Sequence, residues 1–426
     1  MNLIGENPLM MNTNPTTMKV EVTLDTPGRE PSASALLETA PRAATAVRSR
    51  VDAIDLLRGL VMVLMALDHT RDFFSGSGFN PRDVHAPALF LTRWVTHFCA
   101  PVFVFLAGVS AFLYGNRGRT TGEVSLYLLT RGLWLMLLEL TLVRFAWTFS
   151  MIPHRLVFQV IWVLGVAMLV LSGLVFLPRW AIAAFGLTLI VGHNLLDSIH
   201  AEQFGQAGWL WNLLHQPDQL HPTPEVAVAV LYPLIPWIGV MAAGYAFAPV
   251  MRLDPPHRRR ILLTTGAAIT FGFVVLRAIN LYGDPAPWAI QDGVISTALS
   301  FINNEKYPPS LFYLVMTLGP ALLALAAFEA AKGKLAGILV TFGRVPLAYY
   351  VAHLLLIHSV AVMVALATYG DASWLFGDLQ TKPPGYGFGL PVVYGVWLMV
   401  IAVLYPLCHW FAGVKQRRRD WWLSYL

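Results

Sequence analysis

A chain of 426 residues that is 56% hydrophobic and 12% charged, with a mean hydropathy of +0.59, falls outside the soluble globular class and reads as a polytopic membrane protein. The net charge of +5 does not point to nucleic acid, because the basic residues stand in short runs beside apolar spans, where a membrane protein places them. Cys99 and Cys408 both fall within apolar spans, which excludes a disulfide scaffold and a thiolate metal site.

Taken in order, Met1 to about Val47 is rich in Pro, Thr, Ser and Ala without periodicity and predicts a disordered cytoplasmic tail, residues 1–47. It lacks the continuous apolar core of a signal peptide, so the first membrane helix is expected to act as the insertion signal. That helix is RVDAIDLLRGLVMVLMALDHTRDFF, Arg50 to Phe74. Its middle, Leu60 to Leu67, is wholly apolar, with Asp52, Asp55 and Arg58 at one end and Asp68, His69, Arg71 and Asp72 at the other. Charges near hydrocarbon cost about 2.5–3.5 kcal/mol each on insertion scales, so a chain keeps them where a partner, a wet cavity or a substrate compensates. Arg58 and His69 are separated by about 16 Å of helical rise, so the two polar clusters belong near opposite faces of the membrane.

Further spans are predicted at about Leu89 to Tyr114, Leu126 to Phe145, Leu156 to Leu177, Trp180 to Leu196, Val226 to Val250, Ile261 to Tyr282, Ser310 to Ala330, Val345 to Ala367 and Val392 to Phe411. The fold class is therefore an all-α bundle of about ten transmembrane helices, one domain over residues 48–414. A basic-aromatic tail, KQRRRDWWLSYL, occupies 415–426 and suits an anionic inner leaflet. Lys and Arg gather at 48–50, 117–119, 252–260, 332–334 and 415–419, while the alternate segments are poor in them. This pattern predicts cytoplasmic termini and sets Asp68, His69 and Arg71, followed by His85 and His97, at the outer mouth.

Asp68, His69 and Arg71 form the leading candidate for chemistry, since a carboxylate beside an imidazole suits a general base; the competing reading is an ordinary interfacial helix end. His97, in THFCAP, lies inside the second span, where a packing role is the commoner outcome. His85, in RDVHAP, precedes a proline in a loop. Three histidines at one mouth raise the expectation of shared acid and base roles. No pair has the HExxH spacing of a zinc site, so no metal is expected. Lys306, in NNEKYPPS, either anchors the interface or orients an anionic or carbonyl group. In GRVPLAYYVAHLLLIH, Arg344 starts near the cytoplasm and His353 lies about 13 Å deeper.

These stretches, together with FNPRDVHAP, THFCAPVFVFLAGVSAFL, EKYPPSLFYLVMTLGP and YPLCHWFAGVKQRRRDWWLSYL, resemble the bacterial proteins grouped with the catalytic domain of heparan-alpha-glucosaminide N-acetyltransferase, over about Arg50 to Leu426. The resemblance implies an integral acyltransferase of the bacterial inner membrane that takes acetyl groups from cytoplasmic acetyl-CoA and passes them to an amine or hydroxyl of a glycan or similar acceptor outside. It carries the family's Arg-Gly pair to Arg58 and Gly59, its active histidine to or near His85, and a functional asparagine position to His69. Lys306 and Ser310 match an Asn-Lys-x-x-x-Ser pattern in part, and His353 matches a Tyr-Val-x-His stretch. The mechanism implied places the CoA phosphates near Arg58, Arg131 and Arg344. It makes His69 or His85 the base, oriented by Asp68, and gives the oxyanion to His97 or Lys306. A proton-coupled carrier using Asp68, His69, His97 and His353 is the alternative, and the oligomeric state, a homodimer included, is left open.

Overall fold

The computed structural model describes residues 41–426 except 77, 79, 153–154, 378–381, 419, 421–422 and 424–426, and of 41–51 the backbone alone. The chain separates into two units, Met1–Thr45 and Ala46–Leu426, and every candidate residue lies in the second. Residues 1–40 of the expected tail lie outside the described residues.

The first helix, α1, runs from Pro41 to Phe74. It is followed by α2 (Pro87–Gly115, with a 3₁₀ turn at Val95–Phe98), α3 (Thr121–Thr148), β1 (Arg155–Phe158), α4 (Val160–Leu174), α5 (Arg179–Leu196), α6 (Gly208–Leu214), β2 (Asp218–Thr223), β3 (Val226–Val230) and α7 (Leu234–Arg252). The rest comprises α8 (Pro255–Ile279), α9 (Val294–Ile302), α10 (Leu311–Phe328), α11 (Lys334–Arg344), α12 (Pro346–Tyr369) and α13 (Leu390–Arg417). Eight of the described helices are long and apolar enough to cross a membrane: α2, α3, α5, α7, α8, α10, α12 and α13. The predicted count of about ten corresponds to these with α1, whose charges bracket its apolar middle, and the shorter apolar α4.

Two predicted spans begin differently. Residues 155–158 and 226–230 are strands, not the first turns of helices. Their apolar runs satisfy a buried strand as well as a helix, and β-branched valine favours the strand. β3 is the centre of a three-stranded sheet, parallel to β1 with Arg155 opposite Ala227 and Phe158 opposite Val230, and antiparallel to β2. At the other end of the chain α13 continues through Arg417, so the first three residues of the expected tail are helical.

Without a hydrophobic drive between helices in lipid, close backbone approach decides which helices pair. A Cβ on Gly59 of α1 would lie 1.8 Å from the carbonyl oxygen of Leu339 in α11, and one on Gly343 would lie 1.8 Å from that of Asp55. The backbones of α1 and α11 therefore touch, and Arg58 and Arg344 flank the contact. Gly108 and Gly244 play the same part between α2 and α7. α1 is buried along its apolar run, with Val61, Met62, Ala66 and Leu67 each at most 2% exposed. Its carboxyl end is clamped by the segment before α13, where Tyr386 donates its hydroxyl to the Phe73 carbonyl (2.7 Å) and Lys382 Nζ donates to those of Asp72 (2.6 Å) and Ser75 (2.7 Å).

Candidate active site

Each polar end of α1 opens on a cavity. At the Arg58 end, a cavity of about 260 Å³ has a cationic rim of Arg58, Arg131, Arg344 and Lys415 and apolar walls that include Met62, Leu135 and Leu164. Arg58 is fixed three ways: Nη1 donates to Asp55 Oδ1 (2.9 Å) and to the Gly343 carbonyl (3.2 Å), and Nη2 donates to Ser110 Oγ (3.0 Å). Arg344 pairs with Asp52 (2.9 Å) and lies 3.8 Å from Asp55. The guanidinium of Arg131 lies 5.9 Å from the Tyr127 ring centre. The three arginines expected to meet one ligand thus do line one cavity.

At the His69 end, a cavity of about 410 Å³ is lined by Asp68, His69, Arg71, Glu139, Trp147 and Lys306 among others, with β1 and the residues after β3 closing one side. His69 Nδ1 is 2.7 Å from His353 Nε2, and His353 Nδ1 is 2.8 Å from the Tyr349 carbonyl oxygen. A carbonyl only accepts, so Nδ1 of His353 carries the proton, its Nε2 accepts, and Nδ1 of His69 donates to it. For two neutral rings this leaves the lone pair on His69 Nε2, which makes no hydrogen bond with a described residue, on a ring that lines the cavity. Trp147 and Tyr350 meet the same ring edge-on, with centroids at 4.9 and 5.8 Å. Tyr350 lines the Arg58-end cavity, so the two cavities abut across the Tyr350–His69 contact.

The other expected residues divide. Asp68 accepts from Thr96 Oγ1 (2.9 Å), pairs with Arg71 Nη2 (2.7 Å) and lies 3.7 Å from Lys306 Nζ; its partners are these cations and not the His69 ring, whose orienting partner is His353. His85 is exposed, lines neither cavity, and its backbone N–H donates to Asp83 Oδ1 (2.9 Å) in the loop. His97 is buried beneath the site, 5.2 Å from the Tyr313 ring, and also lines neither cavity. Ser310 caps α10, accepting from the Tyr313 N–H (3.0 Å) and donating to Asp284 (2.6 Å). For Lys306, burial opposes the charge, but the Tyr307 phenol oxygen and the Asp68 carboxylate outweigh it and hold the ammonium well above the usual lysine range.

Glu139 went unread in the sequence. It sits in a π-helical turn of α3, Glu139–Val143, is 2% exposed, and accepts from the Trp162 N–H at the start of α4 (3.0 Å). An acid inside the apolar run LMLLELTLV was itself the signal, since ionisable residues within spans are rare and tend to be functional. Among the described residues no group of three His, Cys, Asp or Glu side chains is placed to hold a metal ion.

Residues 50–276 match the family described as heparan-alpha-glucosaminide N-acetyltransferase, catalytic. The chain belongs to that family. Membership makes it a transmembrane acyltransferase. The heparan-alpha-glucosaminide N-acetyltransferase match takes in α1 through most of α8, hence Arg58, His69, Arg131 and Glu139, whereas Lys306 and Arg344 reach the same two cavities from beyond it and His353, also beyond it, meets His69 behind the cavity wall. A comparison with curated proteins gave no match.

Proposed function

We propose that the protein moves an acetyl group from cytoplasmic acetyl-CoA, held in the Arg58-end cavity, to an amine or hydroxyl of a glycan or similar acceptor in the His69-end cavity, on the outer face of a bacterial inner membrane. The observation that carries this reading is the pair of cavities meeting at Tyr350 and His69. Arg58, Arg131, Arg344 and Lys415 supply the cationic rim that nucleotide phosphates require, and the apolar walls suit the pantetheine arm and its thioester. The Lys and Arg distribution supports the orientation, since the Arg58 end then faces the cytoplasm.

In this mechanism His69 Nε2 takes the proton from the acceptor N–H or O–H as that atom attacks the thioester carbonyl carbon. The carbon–sulfur bond then breaks, CoA leaves as the thiolate, and the proton held by His69 is returned to sulfur or to water, restoring the neutral ring. His353 keeps Nδ1 of His69 engaged, so that Nε2 is the atom offered. His85 and His97 have no part in these steps.

Thermal unfolding of the detergent-purified chain with acetyl-CoA, followed by a transfer assay on glucosamine, tests the proposal. A saturable stabilisation that weakens in Arg58→Ala, with acetylated product formed, is expected. Absence of both, together with proton flux in vesicles that requires His69 and His353, would replace it with the carrier.

A further inference from the structure

The cavity beside His69 carries more buried positive charge than its carboxylates balance. Arg71 is 8% exposed and uses one nitrogen, Nη2, for both Asp68 (2.7 Å) and Asp72 (2.9 Å); its Nη1 is buried with no hydrogen-bond partner. Lys306 is 7% exposed, and its ammonium makes no hydrogen bond with a described residue; it lies 3.7 Å from Asp68 and 5.1 Å from the Tyr307 ring centre. Among the described residues five cations line this cavity, Arg71, Arg144, Arg155, Lys306 and Lys382, against three carboxylates, Asp68, Asp72 and Glu139. Glu139, which lines the same cavity, has a carboxylate oxygen committed to the Trp162 N–H.

Guanidinium and ammonium groups are donors only, and a cation removed from water needs an anion or acceptors in return. A developing oxyanion exists only during turnover, so it leaves the resting excess uncompensated. We infer that Arg71 and Lys306 form an anion-binding subsite that seats a carboxylate, sulfate or phosphate group carried by the acceptor. This inference rests on the acceptor occupying the His69-end cavity. The anion meets Arg71 Nη1 and Lys306 Nζ and so places the acceptor's amine or hydroxyl beside His69, which lines the same walls. The donor's own phosphates are assigned to the opposite cavity, which leaves this subsite to the acceptor.

Two measurements test it. In the first, thermal unfolding of the full chain is titrated with sodium sulfate against sodium chloride at matched ionic strength. The subsite predicts a saturable rise in Tm beyond that with chloride, kept in Arg58→Gln, lost in Lys306→Met and restored in Lys306→Arg. No rise, or a rise lost in Arg58→Gln and kept in Lys306→Met, would overturn it. Lys306→Met is preferred to an Arg71 variant because Lys306 holds no hydrogen bond whose loss would unfold the chain.

In the second, acetyl transfer to glucosamine 6-phosphate is compared with transfer to glucosamine. A KM at least tenfold lower for the phosphorylated sugar, falling to parity in Lys306→Met, assigns the anion to the acceptor; parity in the wild type overturns that assignment. Should neither sugar be acetylated while the Lys306-dependent sulfate shift persists, the transferase reading fails and the anion site stands. Transfer to both with no sulfate shift has the reverse meaning.

Discussion

Nδ1 of His69 and Nε2 of His353 lie 2.7 Å apart although the residues are 284 positions apart in the chain, and the Tyr349 carbonyl behind them decides which nitrogen carries which proton. His69→Ala should lower the acetylation rate by about 10²–10⁴-fold, the range for a lost general base, while leaving the acetyl-CoA stabilisation in place. His85→Ala should leave the rate at the wild-type level, because His85 is exposed and lines neither cavity. Single-turnover assays on the two variants decide between the histidines.

His353 acts through His69 without lining either cavity itself, so its variants should separate position from chemistry. His353→Ala should reduce kcat by about 10–100-fold, by analogy with lost orienting partners elsewhere, with KM for acetyl-CoA unchanged. His353→Gln, whose amide oxygen accepts from Nδ1 of His69, should recover much of the loss. Equal damage in both would reduce His353 to packing.

The contact between α1 and α11 predicts a steric result. Gly343→Ala would set a methyl group 1.8 Å from the Asp55 carbonyl oxygen and should cost about 3 kcal/mol or more, read as a fall in Tm together with weaker acetyl-CoA binding. Gly337→Ala, in the same helix with nothing within 4 Å of the added carbon, should be neutral or slightly stabilising.

Arg58→Lys should not substitute for arginine. The guanidinium reaches Asp55, Gly343 and Ser110 with two nitrogens at once, which a single ammonium cannot do. Acetyl-CoA affinity, followed by calorimetry, should drop in Arg58→Lys nearly as far as in Arg58→Ala.

Lys306 has a folded-state pKa raised above the unfolded value, despite burial, by Tyr307 and Asp68. A raised base contributes stability that is fully present below the unfolded pKa of about 10.4 and is lost as the pH climbs through the folded value. The Tm difference between wild type and Lys306→Met should therefore be flat from about pH 6 to 9 and shrink only in stronger alkali. A decline already near neutrality would mean that Lys306 titrates as a depressed lysine.

The membrane spans were legible because about twenty apolar residues in a row leave a chain few alternatives. The strands at 155–158 and 226–230 were not, since RLVF and VAVAV adjoin apolar helices and share their composition. In the site, charge marked Arg58, Asp68, His69 and Lys306 one at a time, and the structure places all four on the cavities. Pairing was another matter. Asp68 follows the cations while the adjacent His69 turns to a helix near the far end of the chain, a choice made by tertiary packing that spacing along one helix does not encode. His69 stood out beside Asp68 on a helix and His85 as a loop histidine, and burial, cavity lining and the His353 contact separate them in the structure.

The sequence Arg58–Gly59 on α1 meets Gly343–Arg344 on α11 as its mirror, backbone against backbone. The span between the two guanidinium anchors is consequently set by the main chain first, with the Arg58–Gly343 and Arg344–Asp52 bonds laid across it. It works as a fixed-jaw gauge. Substitutions around the rim change how much charge the cavity mouth offers, while the close backbone approach beneath it depends on both glycines.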